Sequence, residues 1–333
     1  MNNQDPLTGS RTAWHRKTLA LFFKSAVTIF FIVLVLHLLS KQNVTIASIS
    51  RILSTSSRIG LAIVFILNYA ITALLAVRWR FLLSSVAEGR RPFLAVWKMT
   101  LIGLFFNIFL PTGAGGDVAK IIYLTRDQQA KLKLAVSVLF DRFIGSSTII
   151  SMAVLGVLIS REILPGQLKM VFFIIFLLLL LAWLVILWRA LAISFVCLLP
   201  EFLKAKLRIF YSYAREYTAH PKALAGSFGA SFALQLLALC VQFLVAVSIS
   251  SQRGQAISPG VFFVFIPMIW LLGMVPSLGG LGIREYGYIY FFGKILGNDG
   301  AFALSIVNLC LIILQGVLGG IIFLTTRSPG KKE

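Results

Sequence analysis

Apolar and polar positions alternate in long blocks along this chain. Runs almost free of charge fall near residues 19–39, 59–77, 93–110, 134–159, 170–199, 223–249, 258–275 and 301–326. Most approach the roughly 20 residues a helix needs to cross a bilayer. No polar segment between them is long enough to fold alone. The pattern predicts an all-α polytopic membrane protein. The runs also repeat: adding 165 to the starts of the second, third and fourth gives 224, 258 and 299, which fall on the sixth, seventh and eighth within two residues. Two similar halves, 1–165 and 166–333, are expected.

The third and seventh runs end in related sequences. Asn107 to Asp117 reads NIFLPTGAGGD and Gly273 to Glu285 reads GMVPSLGGLGIRE. Pro111 matches Pro276, Thr112 matches Ser277, Gly115 matches Gly280 and Tyr123 matches Tyr288, all 165 apart. Proline removes a backbone donor and glycine relaxes φ, so each motif breaks its helix. Irregular backbone at membrane depth must be packed in protein or line a wet cavity. Interrupted helices at matching places in two halves are a sequence pointer to a transport site. A plain space-filling turn is the competing reading, and the recurrence weighs against it.

Charge decides how the runs cross. If all eight crossed with the N-terminus inside, the basic segment Arg189 to Lys222 would lie outside, against the rule that cytoplasmic loops are rich in Lys and Arg. If runs three and seven instead re-enter and return to their own side, 21 of the 31 Lys and Arg lie inside and eight outside, with Lys24 and Arg142 set aside as intramembrane. This arrangement gives about six full spans plus two re-entrant helical hairpins opening from opposite faces, which makes the halves inverted repeats. The expected organisation is a cytoplasmic basic tail (1–18), a first repeat (19–165), a second repeat (166–326) and a short tail (327–333), with both termini cytoplasmic. The run 19–39 is longer than a signal-peptide core and lacks a small-x-small cleavage site, so a retained anchor is expected.

Composition agrees. The chain is 59% hydrophobic with mean hydropathy +0.92. Its net charge of +20 does not point to nucleic acid, because the basic residues sit between apolar runs rather than on a soluble face; it suits attraction to anionic headgroups. Cys197, Cys240 and Cys310 lie inside apolar runs, which argues against a disulfide framework, and His15, His37 and His220 have no metal-ligand spacing. No metal or other cofactor is expected. Without HExxH, GxSxG or a carboxylate pair at clear spacing, an enzyme is not expected either, and the glycines lack the GxxxxGK[ST] pattern of nucleotide binding.

The candidate chemistry clusters at the breaks. Asp117 is expected to cap the helix that follows Gly115-Gly116, and the same helix start exposes N–H groups suited to a phosphate. Asp141-Arg142 and Arg284-Glu285 are ionisable pairs in apolar surroundings; sequence neighbours on a helix diverge, so each of the four is expected to have a partner elsewhere. A structural ion pair and a headgroup site are both open: Arg284→Ala with activity intact and stability lowered would favour the first. Asn107, one turn before Pro111, is expected to satisfy carbonyls the proline frees. Arg78 and Arg80, around Trp79, read as interfacial anchors, and Glu201 to Tyr217 as an amphipathic segment lying on the anionic leaflet. The candidate substrate-binding set is Asn107, Thr112, Gly115, Gly116, Asp117, Lys120, Asp141, Arg142, Ser277, Gly279, Gly280, Arg284 and Glu285.

Four elements together, RWRFLL (78–83), NIFLPTGAGGD (107–117), DRFIG (141–145) and VPSLGGLGIRE (275–285), resemble the transmembrane flippase-like domain of the lysylphosphatidylglycerol synthase family. The resemblance spans most of the chain. It implies a domain that moves a lipid with a modified headgroup between leaflets. The full synthases add a cytoplasmic aminoacyl transferase domain. Here the sequence ends at Glu333, just after the last apolar run, so a stand-alone member without aminoacyl transfer is expected. The expected partners are membrane lipids, with an anionic headgroup or a lipid-linked intermediate. The functional expectation is a lipid translocase of the cytoplasmic membrane. The alternatives are a non-transporting partner that presents lipid to a glycosyltransferase or other lipid-modifying enzyme, and a membrane-embedded transferase using Asp117, Asp141 or Glu285 as base. For the translocase the same three carboxylates are candidates for proton coupling.

Overall fold

The computed structural model describes residues 58–86, 91–109, 115–124, 128–159, 166–188, 201–250, 257–273 and 282–325, with residue 33. The rest of the first apolar run, both motif tips and the terminal tails, with Thr112, Ser277, Gly279 and Gly280 in the motif tips, lie outside them. Every regular element among the described residues is a helix: α1 (Arg58–Val86), α2 (Phe93–Phe109), α3 (Gly115–Leu124), α4 (Gln128–Ile159), α5 (Gly166–Leu187), α6 (Glu201–Thr218), α7 (Pro221–Ser250), α8 (Gly260–Leu272) and α9 (Ile283–Thr325). Five are long and apolar enough to span a membrane: α1, α4, α5, α7 and α9. The third and seventh runs form the shorter α2 and α8, of 17 and 13 residues. At 1.5 Å per residue an α8 of that length reaches about 20 Å, short of a hydrocarbon core of about 30 Å.

Each short helix pairs with the one after it as an antiparallel hairpin. On α2 and α3, Gly103 faces Gly116 and Lys120, while Asn107 reaches Gly116. On α8 and α9, Gly273 faces Arg284, Ile269 faces Gly287, and the Phe265 ring meets those of Phe291 and Phe292. α9 is interrupted at Gly297, whose φ of 68° and ψ of 159° only glycine adopts cheaply. Its first part is therefore the second hairpin arm and its remainder a separate span. Shifting α1 to α4 by 165 places them on α7, α8 and the two parts of α9.

Packing follows the same correspondence. α1 and α7 meet antiparallel: Phe81 lies beside Gly226, and Arg78, a turn earlier, beside Ser231, a turn later. Helices at matching positions thus run in opposite directions where they touch. α2 packs on α9, with a Cβ on Gly319 overlapping the Leu101 carbonyl and Phe323 meeting Phe105 and Phe106. α8 packs on α4, with a Cβ on Gly156 overlapping the Phe263 carbonyl. Gly156 with Phe263 and Gly319 with Leu101 match within three residues of the 165 spacing. The α2–α3 hairpin is therefore seated on the later part of α9, and the hairpin of α8 with the start of α9 is seated on α4. The arms α2 and α8 do not touch each other among the described residues.

α5 covers the fifth run as far as Leu187, and residues 189–199 of that run lie outside the described residues. Asp141-Arg142 lies near the middle of α4, which begins at Gln128, in the polar segment before the fourth run. One expectation changes. The amphipathic segment is a helix, but its apolar face also packs on protein: Ala214 and Tyr217 are buried, and Tyr217 stacks on Phe140 at 4.7 Å. The orientation across the membrane has its own check. A cysteine probe at 128 or 205 is expected to react from the cytoplasmic side and not from outside in intact cells.

Candidate functional site

The polar groups of the first half converge where α1, α3, α4 and α7 meet. Arg78, read from sequence as an interfacial anchor, is instead 6% exposed. Its Nε donates to Asp141 Oδ1 and one terminal nitrogen to Oδ2, both at 2.7 Å. This bidentate fork is the geometry that makes arginine–carboxylate pairs strong. Gly145, one turn beyond Asp141, makes room for it: a Cβ there would lie 2.7 Å from the guanidinium. The other terminal nitrogen reaches Ser231 Oγ at 3.4 Å, and Ser231 bonds Thr148 at 2.7 Å. Ser227 donates to the Arg78 carbonyl at 3.3 Å. One side chain thereby ties three spans. From the near ends of the apolar windows, at Ser85 and Leu132, the pair is about 10–14 Å deep at 1.5 Å per residue.

Beside it, the first hairpin brings two more charges. Lys120 is 8% exposed, with its ammonium 4.9 Å from the centre of the Trp79 ring, inside the range of a cation–π contact. Trp79 is fixed in turn by donating to Ser137 Oγ at 3.2 Å. Lys120 lies in electrostatic range of Asp141, Asp117, Arg78 and Arg142. Asp117 pairs with Arg142 Nε across α3 and α4. The Arg142 side chain is 49% exposed against 7% for Asp141, the divergence expected of helical neighbours. Among the described residues, three cations face two carboxylates, which leaves one positive charge over.

The break itself differs from expectation in its details. Asp117 is not the cap. α3 begins two residues earlier, at Gly115, and Asp117 sits in its first turn. Asn107 Oδ1 accepts the Gly116 N–H at 2.9 Å. The helix start leaves N–H groups without intrahelical partners, so an acceptor is what it needs. Asn107→Ala is expected to cost about 1–3 kcal/mol, the penalty for a buried donor left unsatisfied, measured as a fall in thermal stability without loss of expression.

The second half has other chemistry at the same places. Gln242 donates to Asn308 at 2.7 Å between α7 and α9. Subtracting 165 gives 77 and 143, beside Arg78 and within two residues of Asp141. A neutral amide pair thus stands where the first half has an ion pair. Glu285 is 165 residues from Lys120 and is also buried; its Oε2 accepts the Gly282 N–H at 2.6 Å, capping its own helix. Gly282, with φ of 81°, supplies the left-handed residue that turn requires. Arg284 packs its alkyl stem against Gly273. The structure therefore gathers Asn107, Gly115, Gly116, Asp117, Lys120, Asp141 and Arg142 around one hairpin and places Arg284 and Glu285 at the other. All three carboxylates considered for proton coupling are engaged.

Sequence reasoning missed Arg78, Trp79, Ser231 and Thr148. A signal existed: Gly145 follows Asp141 by four residues, and Ser227 and Ser231 are spaced by four, each a helical face opened or made polar for a partner.

The helices define a multi-pass membrane protein with polar clusters inside its bundle. The chain belongs to the lysylphosphatidylglycerol synthase transmembrane-region family, whose model matches residues 21–319. A comparison with the curated proteins found no match.

Proposed function

We propose that this chain is a lipid translocase of the cytoplasmic membrane, built from two inverted halves with both termini in the cytoplasm, and that it carries out no chemical step on its cargo. The observation that carries the reading is the cluster around the first hairpin: five ionisable groups at membrane depth with an excess positive charge. Ionisable residues inside a membrane are costly and mark substrate or ion paths. An acidic headgroup, from a phospholipid or a lipid-linked intermediate, balances the excess, while its tails stay in the bilayer.

The antiparallel meeting of α1 and α7 supports the inverted arrangement, and the seating of α2 on α9 and of α8 on α4 supports rocking of one half against the other as the motion. With its carboxylates engaged, the protein moves lipid downhill. Reconstituted into phosphatidylcholine vesicles, it is expected to exchange labelled phosphatidylglycerol between leaflets faster than protein-free vesicles do. Arg142→Gln, on the half-exposed side of the cluster, is expected to slow exchange without lowering thermal stability. Rates equal to those of empty vesicles across several headgroup classes overturn the reading. A stable complex with a lipid-modifying enzyme, without exchange, favours a lipid-presenting partner instead.

A further inference from the structure

A second basic site lies outside the hairpin cluster. The last turns of α1, the start of α2 and the α6–α7 junction enclose an open cleft of about 620 Å³. Arg80, Arg91, His220 and Lys222 line it, and none of the described lining residues is acidic. Two of these groups are held in place. Arg80 Nε donates to the Arg91 carbonyl at 3.1 Å, which leaves its terminal nitrogens to the cleft. His220 Nδ1 lies 2.8 Å from the Glu216 carbonyl, so that nitrogen carries the proton and Nε2 is the ring's other polar atom. The remaining wall combines apolar Val77, Phe81 and Pro221 with the hydroxyl-bearing Ser84 and Ser85.

Depth separates it from the Arg78–Asp141 pair. Lys222 follows the first residue of the α7 span, and Arg80 is five residues from the end of the α1 span. Both therefore sit within about 8 Å of a span end at 1.5 Å per residue, at headgroup level rather than midplane. Arg80 is two residues from Arg78, so the two guanidiniums leave α1 on different faces. Phe81 is 38% exposed at the cleft, giving a glycerol backbone or the top of an acyl chain an apolar surface beside the cations.

We infer that this cleft binds the phosphodiester headgroup of an acidic phospholipid from the leaflet at which α1 ends and α7 begins. The charge complementarity and the mixed apolar–basic wall at headgroup depth select a lipid over a soluble phosphate. The lipid would clamp α6 and α7 to α1, independently of whether the protein moves lipid.

The test is a thermal-stability titration of the purified full chain in phosphatidylcholine-containing micelles. Phosphatidylglycerol is expected to raise Tm saturably, whereas added phosphatidylcholine and free glycerol phosphate are expected to have no effect. In the Arg80→Gln/Lys222→Gln variant the half-saturating phosphatidylglycerol concentration is expected to rise about thirtyfold, as for two cations removed from an anionic surface. An unchanged half-saturation in the variant overturns the inference, as does equal stabilisation by glycerol phosphate alone. If the variant does not fold, the wild type is crosslinked with phosphatidylglycerol carrying a photoreactive headgroup. Adducts within 77–91 or 219–223 support the site, and their absence from both segments overturns it.

Discussion

Arg78→Ala is expected to remove most of the folded protein. The guanidinium is buried with both oxygens of Asp141 as partners, and it also reaches Ser231 on a third helix. Truncation removes both hydrogen bonds that Asp141 receives from the fork and leaves its carboxylate inside the bundle with Lys120 in electrostatic range but no bidentate partner. Breaking a buried pair from one side costs about 3–5 kcal/mol, a large part of the 5–15 kcal/mol typical of a folded domain. Asp141→Ala is expected to be as damaging, for the mirror reason. Arg78→Gln/Asp141→Asn should recover much of the loss, because it recreates the amide pair that Gln242 and Asn308 form in the other half. The check is the yield of monodisperse protein in detergent and its unfolding midpoint for the two single variants and the double. A double variant no better than either single would mean that Arg78 acts through something other than this pair.

Gly116→Ala is expected to open the first hairpin. A Cβ at Gly116 overlaps the Gly103 carbonyl oxygen and lies 2.8 Å from the Asn107 side chain. The first obstacle is backbone, which cannot rotate away, so the arms must separate. Overpacking typically costs about 1–3 kcal/mol, and loss of the Asn107 bond to the Gly116 N–H adds about another 1–3 kcal/mol. Gly229→Ala is the comparison. Nothing lies within 4 Å of its Cβ position, and alanine favours a helix interior by about 0.5–1 kcal/mol over glycine. Thermal unfolding of the two variants is therefore expected to shift in opposite directions. A neutral Gly116→Ala would contradict the tight crossing of α2 and α3.

Much of this was legible in the sequence because membrane helices announce themselves. Apolar length marks the spans, and the proline–glycine motifs fall just beyond the ends of the short helices α2 and α8. The seating of α2 on α9 and of α8 on α4 was not legible, since no periodicity within a segment says which remote segment will cover it. Arg78 was misread for a related reason: two arginines around a tryptophan at a run's end look alike in sequence, yet one faces α4 and the other faces the cleft. The identity of each charge's partner is a property of tertiary packing. Asp117 illustrates the same limit locally: the cap pattern was visible, but Asn107, from the other arm of the hairpin, supplied the acceptor first.

The proposed hold of the positive excess beside the first hairpin on an acidic headgroup inside the bundle is open to measurement through leaflet-exchange rates of labelled phosphatidylglycerol and phosphatidylcholine in vesicles carrying the wild type or Lys120→Met. Methionine keeps the chain's bulk and removes the charge. A preference for phosphatidylglycerol is expected in the wild type and is expected to collapse in the variant while the fold is retained. Equal rates for both lipids in the wild type, or a preference that survives the loss of Lys120, would contradict it.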